Sequence, residues 1–249
     1  MLLEGKSAVI YGGGGAVGGA VARAFAAQGA RVYLAGRTLA SLETVAGGIR
    51  SAGGTAHTSR VDALDEKAVD DHADFVAADA GSLDVCFNLI SHGDVQGTPL
   101  AEMSLEDFER PVVTAVRTMF LTSRAAARHM IRQGSGVILM FGGYGDPLPR
   151  LGGLQVAFGA LESLRRSLAC ELGPHGIRVV TLQTGGIPEV LPETFAGRKA
   201  ITAGIVGRTM LGRAATLADV GNVAAFAASE HARTITASAI NITCGSVVD

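Results

Sequence analysis

Tyr11-Gly12-Gly13-Gly14-Gly15-Ala16-Val17-Gly18-Gly19 joins an apolar run, residues 7–10, to an alanine-rich stretch over residues 16–28. The run has the length of a buried strand and the stretch has the small residues of a closely packed helix, so the glycines form a strand-to-helix turn. Glycine turns tightly and lets a ligand approach the backbone without a Cβ in the way. The helix opening behind it offers unpaired N–H groups and a partial positive charge. A dinucleotide pyrophosphate fits that combination. Gly13, Gly15 and Gly18 also spell G-x-G-x-x-G, a weak signal alone that gains weight from its place between strand and helix.

One helix later a second strand, residues 31–35, runs into Ala35-Gly36-Arg37-Thr38. Proteins that select NAD place a carboxylate at this strand end to bond the ribose 2′-hydroxyl, and that carboxylate repels a 2′-phosphate. Gly36 stands there instead, followed by Arg37. A guanidinium matches the fork of a phosphate and stays charged at any relevant pH. The expected cofactor is therefore NADP, against the plain alternative that Arg37 is a solvated surface arginine.

The 249 residues suit one α/β domain over 1–249. Apolar residues make up 48% but aromatics only 5%, and there are 34 glycines, as buried parallel strands under small-residue helices require. A formal net charge of −2 without long runs of one sign points away from nucleic acid and anionic membranes. No apolar run approaches the ~20 residues of a membrane span. The first strand begins close to Met1, so no signal peptide is expected and the expected location is cytoplasmic. Cys86, Cys170 and Cys244 are far apart, read as reduced thiols, and with the scattered histidines form no metal-binding spacing.

Strand patterns recur at 55–61, 83–89, 136–141, 177–182 and 238–242. Helical patterns fill 39–51, 65–80, 105–132, 154–172 and 217–228, the last with Thr216 as its N-cap. Seven strands with helical crossovers predict a single-domain, Rossmann-like doubly wound parallel sheet with helices on both faces. The long irregular stretch 185–213 leaves the carboxyl edge of such a sheet and is a candidate substrate lid.

With these elements in place, the chain resembles the short-chain dehydrogenase/reductase family along nearly its whole length. Gly12 and Gly18 match its T-G-x-x-x-G-x-G turn, with Tyr11 for the threonine and Ala16 for the middle glycine. Asn88-Leu89-Ile90-Ser91 stands for its N-N-A-G, and residues 160–164 and 168–179 resemble its central helix and sixth strand. The resemblance implies cofactor contacts at Gly12, Gly14, Gly15, Val17, Gly18, Arg37, Thr38, Asn88, Gly185 and Ile187, with Asp62 beside the adenine. It also implies hydride transfer between a nicotinamide and a small molecule, and a homo-oligomer formed through the helices that begin at Leu105 and Leu154.

In the family a tyrosine protonates the new alkoxide and a lysine four residues on lowers its pKa, because a phenol near pKa 10 is a poor acid at neutrality unless a cation stabilises its anion. A serine and an asparagine complete the set. Here Leu154 falls at the tyrosine, Phe158 at the lysine, Gly142 or Gly143 at the serine, and Ala115 near the asparagine. No lysine occurs between Lys67 and Lys199. The Tyr-x6-Lys spacing of enoyl reductases would use Leu151 and Phe158 and fails equally, and the proline after strand six is replaced in Thr184-Gly185-Gly186-Ile187-Pro188.

Tyr144, after the fifth strand, and His92, after the fourth, are the titratable side chains expected at the carboxyl edge. Each is set against a merely solvated loop position. The apolar replacements and the two glycines suit a larger or apolar substrate. The expectation is thus a divergent NADP(H)-dependent oxidoreductase acting on a carbonyl or enone. An inactive nucleotide-binding subunit and a non-redox isomerase or cyclase on the same fold stand beside it.

Overall fold

The computed structural model describes residues 1–143 and 148–248. Seven strands, β1 (Ser7–Tyr11), β2 (Arg31–Gly36), β3 (Thr55–Arg60), β4 (Val85–Asn88), β5 (Gly136–Gly142), β6 (Ile177–Thr184) and β7 (Ser238–Ile242), form one all-parallel sheet in the order β3-β2-β1-β4-β5-β6-β7. The helices are α1 (Ala16–Ala27), α2 (Leu39–Ser51), α3 (Glu66–Ala80), α4 (Leu105–Gln133), α5 (Leu154–Leu172), α6 (Arg198–Val206) and α7 (Leu217–Ala228). Alternation along β1 divides the core. Ala8 and Ile10 face the apolar layer of α1, α2 and α7, while Val9 and Tyr11 face that of α3, α4 and α5. Both faces of the central strands are covered, which is why they read as continuous apolar runs.

Small residues set the layer spacing. A Cβ on Gly221 of α7 would stand 2.9 Å from Ala24 Cβ of α1, so these two helices pack almost backbone to backbone. The strand order reverses direction between β1 and β4, which opens a crevice above their carboxyl ends.

The expected strands and helices are all present, and the described residues add one α-helix and several 3₁₀ turns. The stretch 185–213, read as irregular, contains a 3₁₀ turn at Pro188–Val190 and the helix α6. No residue of α6 is buried and Gly204 interrupts it, so it carries no apolar stripe for periodicity to detect. At α7, Thr216 Oγ1 accepts from Asp219 N–H at 3.0 Å and Asp219 Oδ2 accepts from Thr216 N–H at 2.9 Å, a reciprocal cap. Cys86 is buried, Cys170 is exposed on α5, and Cys244 follows β7 at φ 56°.

Candidate functional site

The glycine turn is dictated first by its own packing. Gly12 has φ +79°, and a Cβ there would run into the backbone of Leu89 and Ile90 beyond β4. A Cβ on Gly18, in the first turn of α1, would strike the Gly12 carbonyl. These two glycines let α1 start directly above the β1–β4 switch point. Gly15 is the N-cap of α1 and supplies no side-chain acceptor, and no acidic residue lies in the first turn. At α2, Thr38 is the N-cap but its hydroxyl makes no capping bond, and again no acid follows. By contrast α3, α4 and α7 are closed by Asp65, Ser104 and Thr216. The first-turn amides of α1 and α2 thus keep their hydrogen-bonding capacity for a ligand.

A cleft of about 460 Å³ lies over these helix ends. Gly12, Gly14, Gly15, Arg37, Thr38, Asp62 and His92 all line it, so most of the residues singled out in the sequence do meet. Arg37 is exposed, and among the described residues no hydrogen-bond or ion-pair partner holds it. Gly36 has room to spare: an added Cβ would touch only Leu42 Cδ2 and Cδ1, at 3.6 and 3.9 Å. Asp62 Oδ1 accepts from Leu64 N–H at 3.0 Å, which fixes the turn after β3.

Other expected residues stand outside that lining. Val17 is half-buried in α1 and Gly18 is buried beneath the turn. Asn88 is buried with both ends of its amide in use, Nδ2 donating to Thr122 Oγ1 at 3.1 Å and Oδ1 accepting from Ile90 N–H at 3.1 Å. It therefore sets the path of the loop after β4. Beyond β6, a Cβ on Gly185 would meet Ser246 Oγ, and Ile187 is buried in the α1/α7 layer.

At the β5 end, Gly142 and Gly143 face the Phe158 ring of α5. A Cβ on Gly143 would lie 3.2 Å from Phe158 Cε2. His92 meets the same ring edge-on, centroids 6.1 Å apart, and burial pushes its pKa below the usual histidine value while Asp94 pulls the other way. His92 is consequently neutral at pH 7. Tyr144, the other candidate donor, lies outside the described residues. Behind Phe158, Glu162 accepts from Thr181 Oγ1 at 2.6 Å and from Arg165 Nη2 at 2.8 Å.

Two features escaped sequence reasoning. Arg60 at the end of β3 pairs in register with Gly36, so its side chain leaves the sheet on the α2 face; it is exposed and, among the described residues, has no partner. Its signal was the common start of the two strands, Arg31 opposite Thr55, which carries position 36 to position 60. Arg110 of α4 lines the cleft while bonded to Glu106 and Asp107 of its own helix. No sequence signal turned α4 to that register. Among the described residues no group of three or more His, Cys, Asp or Glu can hold a metal, and no helix is long and apolar enough to cross a membrane.

The comparisons agree with this geometry. The family profile described as enoyl-(acyl carrier protein) reductase matches residues 14–246. Gluconate 5-dehydrogenase of Gluconobacter oxydans is 29% identical over 229 residues, covering 91% of this chain and 89% of that protein. Secoisolariciresinol dehydrogenase of Forsythia intermedia is 30% identical over 242 residues, covering 93% and 85%. The crystal structure of a short-chain type dehydrogenase/reductase from Mycobacterium marinum superposes with a TM-score of 0.86 at 29% identity, covering 99% of this chain and 97% of the other. The chain belongs to the short-chain dehydrogenase/reductase family of oxidoreductases, whose members bind a nicotinamide cofactor and act on small molecules.

Proposed function

We propose that this protein is an NADP(H)-dependent oxidoreductase that reduces an apolar carbonyl or enone and draws its proton from outside the family's tyrosine and lysine positions. The carboxyl end of β2 carries the proposal: Gly36 brings no carboxylate, and Arg37 keeps an uncommitted guanidinium at the cleft above the glycine turn. A charge-assisted hydrogen bond there is worth ~1.5–3 kcal/mol to a 2′-phosphate. Gly12, Gly14, Gly15, Val17 and Gly18 are assigned to the pyrophosphate, Arg37 and Thr38 to the 2′-phosphate, Asp62 to the adenine, and Asn88, Gly185 and Ile187 to the rest of the cofactor. The bound cofactor supplies the hydride. The segment 185–213, with α6, acts as the substrate lid over 1–249 taken as one domain, and the proton comes from Tyr144, or through His92 as a neutral relay that takes up one proton as it gives another.

A second reading, a nucleotide-binding subunit without turnover, is favoured by one contact, the Phe158 ring lodged between Gly143 and His92. NADPH oxidation against a panel of ketones and enones decides between the two. On a substrate found there, His92→Ala or Tyr144→Phe lowers turnover roughly 10²-fold with NADPH affinity almost unchanged. Full activity of both variants removes these two residues from the mechanism. NADPH binding without turnover of any panel member replaces the first reading by the second.

A further inference from the structure

Resting on the reading of His92 as a proton relay, we infer that Thr181, Glu162 and Arg165 are positioning residues for it. Tied together behind α5, they hold the Phe158 ring against His92 and keep that imidazole shielded from water. An arginine is almost never fully buried unless it is paired. Arg165 faces the sheet between Leu161 and Ala169, the three of them buried at successive turns of α5. Its Nε and Nη2 both donate to Glu162 Oε2, at 3.0 and 2.8 Å, and its Nη1 has no partner among the described residues. Among those residues Glu162 is thus the one anchor of a buried guanidinium, and rotating its carboxylate away would leave that charge unpaired in the core. The carboxylate is locked in place.

The pair lies wholly within α5, and its tie to the sheet is the hydroxyl of Thr181 on β6, which donates to Glu162 Oε1 at 2.6 Å. Thr181 is buried, and its Cγ2 comes within 3.5 Å of the place a Cβ on Gly142 would take. Phe158 stands one turn before Glu162 on the same face of α5, and Phe158, Glu162 and Thr181 line one narrow seam with Gly142 and Gly143. The ring therefore has the bare backbone of β5 beside it and an anchored carboxylate one turn on. His92 meets it edge-on, centroids 6.1 Å apart. A shift of α5 along β6, which the Thr181 bond resists, would carry the ring off the imidazole and admit water to it. The charged groups that line the cleft with His92 are Arg37, Asp62 and Arg110, and Asp94 stands two residues on along its own loop. None of them bonds to the anchor.

Nuclear magnetic resonance titration of His92 in the unmutated protein and in Thr181→Val, which removes the hydroxyl and leaves every charge in place, tests this. The midpoint in Thr181→Val is expected to move up toward the ordinary 6.5 by about 0.3 pH units or more, with Phe158→Leu moving it at least as far. Thr181→Ser, which keeps the donor, is expected to titrate as the unmutated protein does. Glu162→Leu combined with Arg165→Met removes the pair without changing the net charge, and is expected to give the same shift should Thr181→Val not fold. A midpoint within about 0.1 units of the unmutated protein's, in Phe158→Leu or in whichever anchor variant folds, overturns the inference. An equal shift in Thr181→Ser overturns it too. Failure of the reading beneath it is seen separately, as full turnover by His92→Ala with the titration shift intact.

Discussion

If Gly36 and Arg37 select the cofactor, as proposed above, the space around Gly36 allows a test that leaves the fold undisturbed. A Cβ at position 36 makes only ordinary contact with Leu42, and the residue does not occupy the left-handed region, so an aspartate fits there. Its carboxylate would stand beside Arg37, pair with that guanidinium and repel a 2′-phosphate. Gly36→Asp is predicted to weaken NADPH binding by about 1.5–3 kcal/mol, roughly ten- to 150-fold, while NADH binding holds or improves. An unchanged ratio of the two affinities in this variant would place the selecting group elsewhere. The glycine turn and Arg37 were legible in the sequence because each is a local signal, read within a few residues of a strand end. Arg60 was not, since its place beside Gly36 depends on the β2–β3 register, and the contact between His92 and Phe158 depends on the path of a loop across 66 residues of chain.

Among the elements, α4 and α5 form one outer layer and present apolar side chains away from the sheet as well as toward it. Val113 and Phe120 of α4 are 56% and 46% exposed, and Val156 of α5 is 49% exposed. Apolar faces of this kind mark association surfaces, and we propose that the protein is a homo-oligomer built through them. Sedimentation at micromolar concentration is predicted to give more than the monomer mass of 25.4 kDa, and Phe120→Glu to shift it toward the monomer. A monomer in the unmutated protein would contradict the proposal. Helix and strand identities were legible wherever one face is buried, because burial imposes the periods of 3.6 and 2. The helix α6 was invisible to the same test because nothing in it is buried.

At the scale of the whole molecule, the β3-β2-β1-β4-β5-β6-β7 order brings the glycine turn, the end of β2 and the loop after β4 to one edge, although they are scattered along the first ninety or so residues. The same packing buries His72 of α3, only 5% exposed, with Nδ1 3.3 Å from the Tyr11 hydroxyl and Nε2 without a partner among the described residues. Burial draws its pKa from 6.5 down to about 4. The unfolded chain takes up this proton as the pH falls below 6.5 and the folded chain only near 4, so stability is full above pH 6.5 and declines through that window, by about 3 kcal/mol at most. Urea unfolding is predicted to show this loss, and His72→Phe to flatten it; equal losses in both proteins would assign the acid sensitivity to other groups. Whether the cleft is an NADP(H) site is read from calorimetric titration of the unmutated protein with NADPH and NADH side by side. The predicted result is NADPH binding tighter by at least tenfold, and equal affinities, or tighter binding of NADH, would contradict it.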